Sequence, residues 1–167
     1  GSYQTVADRL RPIVDAAMRL PASLIFDMEQ AETKDLFIEI FQRLFSEPAY
    51  RAFPHAGLAV QAYHRSTARD VDALLVWVRT RGTPVTIRLV KGAYWEYEKT
   101  VAGQRGWPVP VFTSKTHTDW SFEECVGIAL AAHENVTLAV ASHNVRSIAK
   151  TLVLAERLGA PGGRYEF

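Results

Sequence analysis

At 167 residues, with 48% hydrophobic and 22% charged side chains, the chain has the make-up of one ordinary globular domain. Lys and Arg number 19 against 18 Asp and Glu, and a net charge of +1 gives no basic excess to suggest nucleic acid or an anionic membrane as partner. No apolar run approaches the ~20 residues of a membrane helix, no secretory leader is expected, and a single cysteine, Cys125, excludes an internal disulfide and suits a reducing compartment.

Gly1-Ser2 reads as the remnant of a cleaved tag, which leaves 3–167 as one domain. A helical pattern opens that domain in YQTVADRLRPIVDAAMRL. Five short strand-like runs follow, each bounded by turn residues: SLIFDM (23–28), GLAVQAY (57–63), VTIRLVK (85–91), TLAVAS (137–142) and GRYEF (163–167). Between them, AETKDLFIEIFQRLF and ARDVDALLVWVRTRG space their apolar residues at helical intervals, the second stopping on Gly82. WEYE begins a further helical stretch, and GWPVPVFTSKTHTD is a long insert that Pro108 and Pro110 keep out of a helix. SFEECVGIALAAHEN and NVRSIAKTLVLAERLG repeat the helical plan; Thr118 or Asp119 is the expected cap of the first, and Gly159 closes the second. Cys125, inside the first of these patterns, is expected to be a small core residue rather than a nucleophile.

Strands alternating with helices predict a parallel sheet with crossover helices. No G-x-G-x-x-G follows a strand, which weakens a doubly wound dinucleotide fold. Polar residues sit late in the strands (Asp27, Gln61, Arg88 with Lys91, Ser142 with His143), as in a (βα)8 barrel, whose chemistry gathers at the C-terminal ends of its strands. A barrel needs roughly 31 residues per unit, so this length holds about five. The expected fold is therefore α/β, a partial (βα)8 TIM barrel with elements absent at both ends.

Several strand-end residues are candidates for chemistry. Asp27 and Glu29 would share a strand face; a carboxylate in the barrel mouth and a simple ion pair or cap are both open for Asp27. Gln61 in an apolar strand needs a partner, either a ligand or a neighbouring strand. Arg88 is permanently charged and calls for a carboxylate, a phosphate or an electron-rich ring. Lys91 falls on the opposite face, Gly92 permits a sharp turn and close ligand approach, and Tyr94 and Trp95 add flat apolar surface. Together they suit a large, flat, anionic ligand, with an inter-strand salt-bridge layer as the plainer alternative. Thr113, Lys115, Thr116 and His117 form either a phosphate-holding cluster or a solvated loop. His143-Asn144 ends a strand, and no His/Cys/Asp set has metal-ligand spacing.

Six motifs (FDMEQ, GLAVQAY, RLVKGAYWEYE, PVFTSKTHTD, ASHNVRS and the final YEF) occur in the order in which they stand in proline dehydrogenase domains. The chain resembles that family from about residue 20 to its end, above all the domains of bifunctional proline utilisation A flavoproteins. The resemblance implies a (βα)8 barrel that binds FAD, oxidises L-proline to Δ1-pyrroline-5-carboxylate and passes electrons to a quinone. It further implies a cytoplasmic parent, peripherally associated with the membrane through that quinone, and no nucleic-acid contact. By the same resemblance Asp27 and Arg88 belong to the catalytic set, Met28 lies against the flavin, and Gln61 and Arg88 bond its ring system. Val90, Lys91, Gly92, Ala93, Tyr94 and Trp95 wrap the cofactor. Thr113, Lys115 and His117 hold its pyrophosphate and adenosine side; Ser142, His143 and Asn144 touch it, and Glu166 lies near the ribityl chain. The family's substrate-contacting lysine strand and its arginine-bearing last helix find no match here. The resemblance thus implies a largely present cofactor site, a largely absent substrate clamp, and a piece that does not oxidise proline alone; independently, five strands cannot close a barrel, and their open edges predict self-association. Two other readings stand beside it: an aldolase-type Schiff-base lyase using Lys91, and a half-barrel with no catalytic role.

Overall fold

In the computed structural model, residues 3–20 and 22–167 are described; the expected tag remnant, residues 1–2, lies outside them. The elements run α1 (Tyr3–Arg19), β1 (Leu24–Phe26), α2 (Ala31–Leu44), β2 (Ala56–Gln61), α3 (Thr67–Arg81), β3 (Val85–Val90), α4 (Trp95–Arg105), α5 (Lys115–Ala131), β4 (Val136–Ala141), α6 (Val145–Leu158), a 3-10 turn (Gly162–Arg164) and β5 (Tyr165–Glu166). The five strands form one parallel sheet in the order β1-β2-β3-β4-β5. Sequential order without a reversal is the winding of a barrel rather than of a doubly wound sheet. The sheet is open, with β1 and β5 at its edges.

Strand periodicity divides the side chains between two faces. Val85, Ile87 and Leu89 of β3, with Val136, Leu138 and Val140 of β4, are buried in the core cluster. They share it with Leu74 and Val78 of α3 and Phe122, Val126, Ala129 and Leu130 of α5. Cys125 lies in the same cluster, and burial pushes its thiol up to about 12, the state of an inert core residue. The other face carries Thr86, Arg88 and Val90, only partly buried. Register places Ala59 and Ala139 on either side of Arg88, and Glu166 beyond Ala139. The small neighbours leave open space beside the guanidinium on the inner face.

Several strand ends shift by a residue or two, β5 shrinks to Tyr165–Glu166, and two of the boundary differences bear on the site. β1 ends at Phe26, so Asp27, Met28 and Glu29 lie in the following segment rather than in a strand. Helix α5 begins at Lys115, with Ser114 in the extended N-cap position. Thr118 and Asp119 are therefore inside the helix and cap nothing; the insert stops earlier because its two prolines are spaced well before Ser114. The insert is stitched to the segment after β2: Phe112 N donates to Tyr63 O at 2.7 Å, Arg65 N to Pro110 O at 3.1 Å, and Trp95 Nε1 to Phe112 O at 2.8 Å. Trp95 is thereby fixed between the end of β3 and the start of α5.

At the opposite end of the sheet, Arg81 is buried and donates to the carbonyls of Phe45, Phe53, Tyr50, Thr83 and Pro84. It ties the α2–β2 connection to the α3–β3 turn. Burial pulls its guanidinium down to about 10, with Arg51 adding to the effect.

Candidate cofactor and substrate site

Two adjoining clefts open at the C-terminal ends of the strands. The first, of about 500 Å³, is lined by Asp27, Met28, Gln61, Arg88, Val90, Lys91, Gly92, Ala93, Tyr94, Ser142 and His143 among others. The second, of about 330 Å³, lies between Tyr63, Trp95, Thr113, Lys115, Thr118 and Asp119 and shares Lys91 and Gly92 with the first. The parallel sheet brings strand ends together, so residues far apart in sequence converge there. Of the candidates, Thr116, His117, Asn144 and Glu166 line neither cleft. His117 sits in the first turn of α5 with its ring 6.0 Å from that of Phe112. Asn144 caps α6, its side chain accepting from Ser147 N at 3.1 Å. Glu166 is exposed on edge strand β5.

Arg88 donates to Asp27 across the mouth of the first cleft, and both side chains are substantially exposed. Asp27 thus makes an ion pair and also lines the mouth of the first cleft, so the two alternatives open for it are compatible. The pair does not satisfy Arg88: its Nε is buried and has no partner among the described residues. A buried unpaired donor of a charged group is costly unless something completes it. Gln61 is fully engaged by protein. Its Nε2 donates to Met28 O at 3.0 Å and Glu29 O at 2.9 Å, and its Oε1 accepts from Ala93 N at 3.3 Å. It thus fixes both the Asp27-bearing segment and the turn after β3.

Gly92 has φ +133°, a conformation that side chains rarely adopt, and a Cβ there would lie 2.4 Å from the Tyr63 ring. Packing against Tyr63, in addition to the shape of the clefts, requires glycine. Tyr63 is buried, and burial pushes its hydroxyl up to about 12. Buried Glu98 of α4 accepts from Ala31 N at 2.7 Å, anchoring the start of α2 beside the same turn. Neither Tyr63 nor Glu98 was singled out by the sequence reading; the only signal was an acid at the fourth position of a helix and an aromatic after Gln61.

Lys91 and Lys115 both bond Asp119, each at 2.5 Å, and Lys91 also lies 5.4 Å over the Phe122 ring. Burial raises the Asp119 carboxyl, but the bonds from Lys115 and Lys91 outweigh it and hold the group below its usual range. With its Nζ engaged by Asp119, Lys91 is not free to attack a carbonyl, which disfavours the Schiff-base lyase reading.

The proline dehydrogenase family model matches residues 2–167. The chain belongs to that family. It is 31% identical over 160 residues to the bifunctional protein PutA of Salmonella typhimurium, covering 95% of this chain and 12% of that protein. Over 110 residues it is 31% identical to mitochondrial proline dehydrogenase 1 of Caenorhabditis elegans, covering 62% of this chain and 18% of that one. Among solved structures, proline utilisation A from Bdellovibrio bacteriovorus inactivated by N-propargylglycine superposes with a TM-score of 0.96 at 41% identity, over 99% of this chain and 17% of that chain. Proline utilisation A from Corynebacterium freiburgense gives 0.92 at 28% identity, over 98% and 17%. The chain therefore spans less than a fifth of the length of these relatives. The partial (βα)8 reading agrees with these likenesses.

Proposed function

We propose that the chain is the flavin-holding portion of an FAD-dependent proline dehydrogenase that converts L-proline to Δ1-pyrroline-5-carboxylate. The observation that carries the proposal is the pair of clefts joined at Lys91-Gly92, one beside an under-satisfied arginine and the other beside two lysines. An elongated ligand with a flat electron-rich end and a diphosphate middle fits that division of chemistry. Bound there, FAD would accept the hydride equivalent that proline oxidation releases.

The residues of the chain supply binding and orientation. The buried Nε of Arg88 is a charge-assisted donor awaiting an acceptor, and Ala59 and Ala139 leave space for a flat ring beside it. Gln61, through its backbone partners, keeps Met28 and Ala93 at fixed positions on the cleft wall. Lys91, Lys115 and Thr113 face the second cleft, where phosphate oxygens would find donors. Asp27 stands at the mouth, beside Arg88. Proline as substrate, a quinone as electron acceptor and a cytoplasmic setting at the membrane face come from the likeness to bifunctional PutA proteins. No helix among the described residues is long and apolar enough to cross a membrane. The open edges of β1 and β5 are surfaces through which isolated chains would pair.

The test is a proline-to-dye assay with a flavin absorbance spectrum, on the longer parent polypeptide and its Arg88→Ala variant. The reading requires bound flavin, proline-dependent dye reduction, and loss of either flavin or turnover in the variant. A parent that turns over proline equally well without Arg88 removes the role assigned to it.

A further inference from the structure

Asp119 stands in a peculiar place for a site that should attract phosphate. It lines the second cleft, and its two oxygens take up the two cations of that cleft: Oδ1 bonds Lys91 and Oδ2 bonds Lys115. The lysines come from different elements, Lys91 from the end of β3 and Lys115 from the first turn of α5. The side chain is about a quarter exposed, so the contact is open to exchange with solutes. Lys115 is mostly exposed and reaches forward four residues along its own helix to make it. Arg146 lies near enough to feel Asp119, but its own bonded partner is Glu123.

We propose that Asp119 is an internal stand-in for phosphate: it holds Lys91 and Lys115 in place at the second cleft and is displaced from them by the diphosphate of an incoming ligand. It then sets how tightly, and how selectively, the cleft takes anions. The inference rests on the reading of this cleft as a diphosphate seat. The physical argument is competition. A carboxylate tethered beside two ammonium groups neutralises about half of their charge. A diphosphate must win them from it, whereas a stray monovalent anion in solution gains too little to do so. Such a residue lowers affinity for every anion but lowers it least for those with several oxygens spaced to reach both lysines. Each partly exposed pair contributes at most a modest amount, so release of the lysines is readily driven by a ligand that bonds both.

The experiment uses the 167-residue chain with inorganic pyrophosphate, ADP and uncharged adenosine as probes, titrated calorimetrically against the native chain and Asp119→Asn. The variant is expected to bind pyrophosphate and ADP about 3- to 30-fold more tightly, the range two such pairs allow. Its affinity should fall more steeply with added salt, and adenosine should show no change. Equal or weaker pyrophosphate binding by the variant, including no detectable binding by either form, overturns the proposal. It would make Asp119 a positioning residue or an ordinary ion-pair partner.

A second measurement needs no variant. Carbon-detected titration of the Asp119 carboxyl in the native chain should show its depressed pKa rise when pyrophosphate is added, because the lysines leave it. A carboxyl that titrates identically with and without pyrophosphate also overturns the proposal. An FAD titration run alongside separates the two readings. Gain of pyrophosphate affinity with no FAD binding in any form would end the flavin reading and keep Asp119's role. FAD binding with no gain in Asp119→Asn would do the reverse.

Discussion

Two arginines, Arg81 and Arg88, lie at opposite ends of the same sheet and live by different rules. Arg81 is buried at the N-terminal end, where the carbonyls of Phe45, Phe53, Tyr50, Thr83 and Pro84 surround it. Arg88, near the C-terminal end, has one carboxylate partner across an open cleft and one buried nitrogen with no partner among the described residues. The first is a closed account of hydrogen bonds, complete without any ligand. The second is incomplete, and so are its surroundings: two lysines on one carboxylate, a glycine at positive φ, and exposed aromatics. Barrel-type folds keep stability at one end and chemistry at the other, and here the degree of hydrogen-bond satisfaction distinguishes them.

Substitution of each arginine should therefore break different things. The largest loss is expected at Arg81. Arg81→Met leaves several buried carbonyls without donors, and equilibrium urea unfolding should show a loss of roughly 3 kcal/mol or more. A much smaller loss would mean that the carbonyls find water and that the N-terminal end is less sealed than the geometry implies.

A comparable effect is expected from pH, through a group on the functional side that behaves like the structural end. His64 is buried, its Nε2 has no partner among the described residues, and burial together with nearby Lys34 pulls its pKa to about 4. The unfolded chain then binds the extra proton first, between pH 6.5 and about 4. Stability from this group is complete above pH 6.5 and is lost as pH falls through that window, by about 3 kcal/mol in all. His64→Gln should flatten the slope there, which unfolding at a series of pH values would reveal. Losses at lower pH belong instead to Glu47 and Asp119, whose carboxyls are held below the usual range.

Gly92→Ala should come next. The new Cβ meets the Tyr63 ring and the backbone keeps an unfavourable positive φ, together about 2 kcal/mol. This expectation places part of Gly92's importance in packing. If thermal denaturation shows no change while flavin content falls, close ligand approach is the sole reason for the glycine.

The smallest stability effect belongs to Arg88. Arg88→Met removes a largely exposed ion pair, and urea unfolding should shift by less than about 1 kcal/mol. A large loss would make Arg88 a second Arg81 and erase the contrast between the two ends.

Much of this was legible in the sequence because strand and helix periodicities are local. The five strands, the stops at Gly82 and Gly159, the parallel winding and the gathering of Gln61, Arg88, Lys91 and His143 at one end all follow from such patterns. What escaped was set by tertiary partners. Nothing local tells that Gln61 bonds the backbone after β1, or that Gly92 faces the Tyr63 ring. Asp119 read as a helix cap because the helical pattern became clear only at Ser121. Ser114 starts the helix instead, which turns Asp119 toward the two lysines. Arg81 was invisible for a related reason: a basic residue in the last turn of a helix is ordinarily a solvated one.

The most direct test of the central claim is a fluorescence-monitored titration of the native 167-residue chain with FAD, repeated with Arg88→Met. The account requires saturable binding by the native chain and at least about a tenfold weaker affinity in the variant, the loss of a charge-assisted donor. Equal affinity in both, or no saturable binding by the native chain, would contradict it.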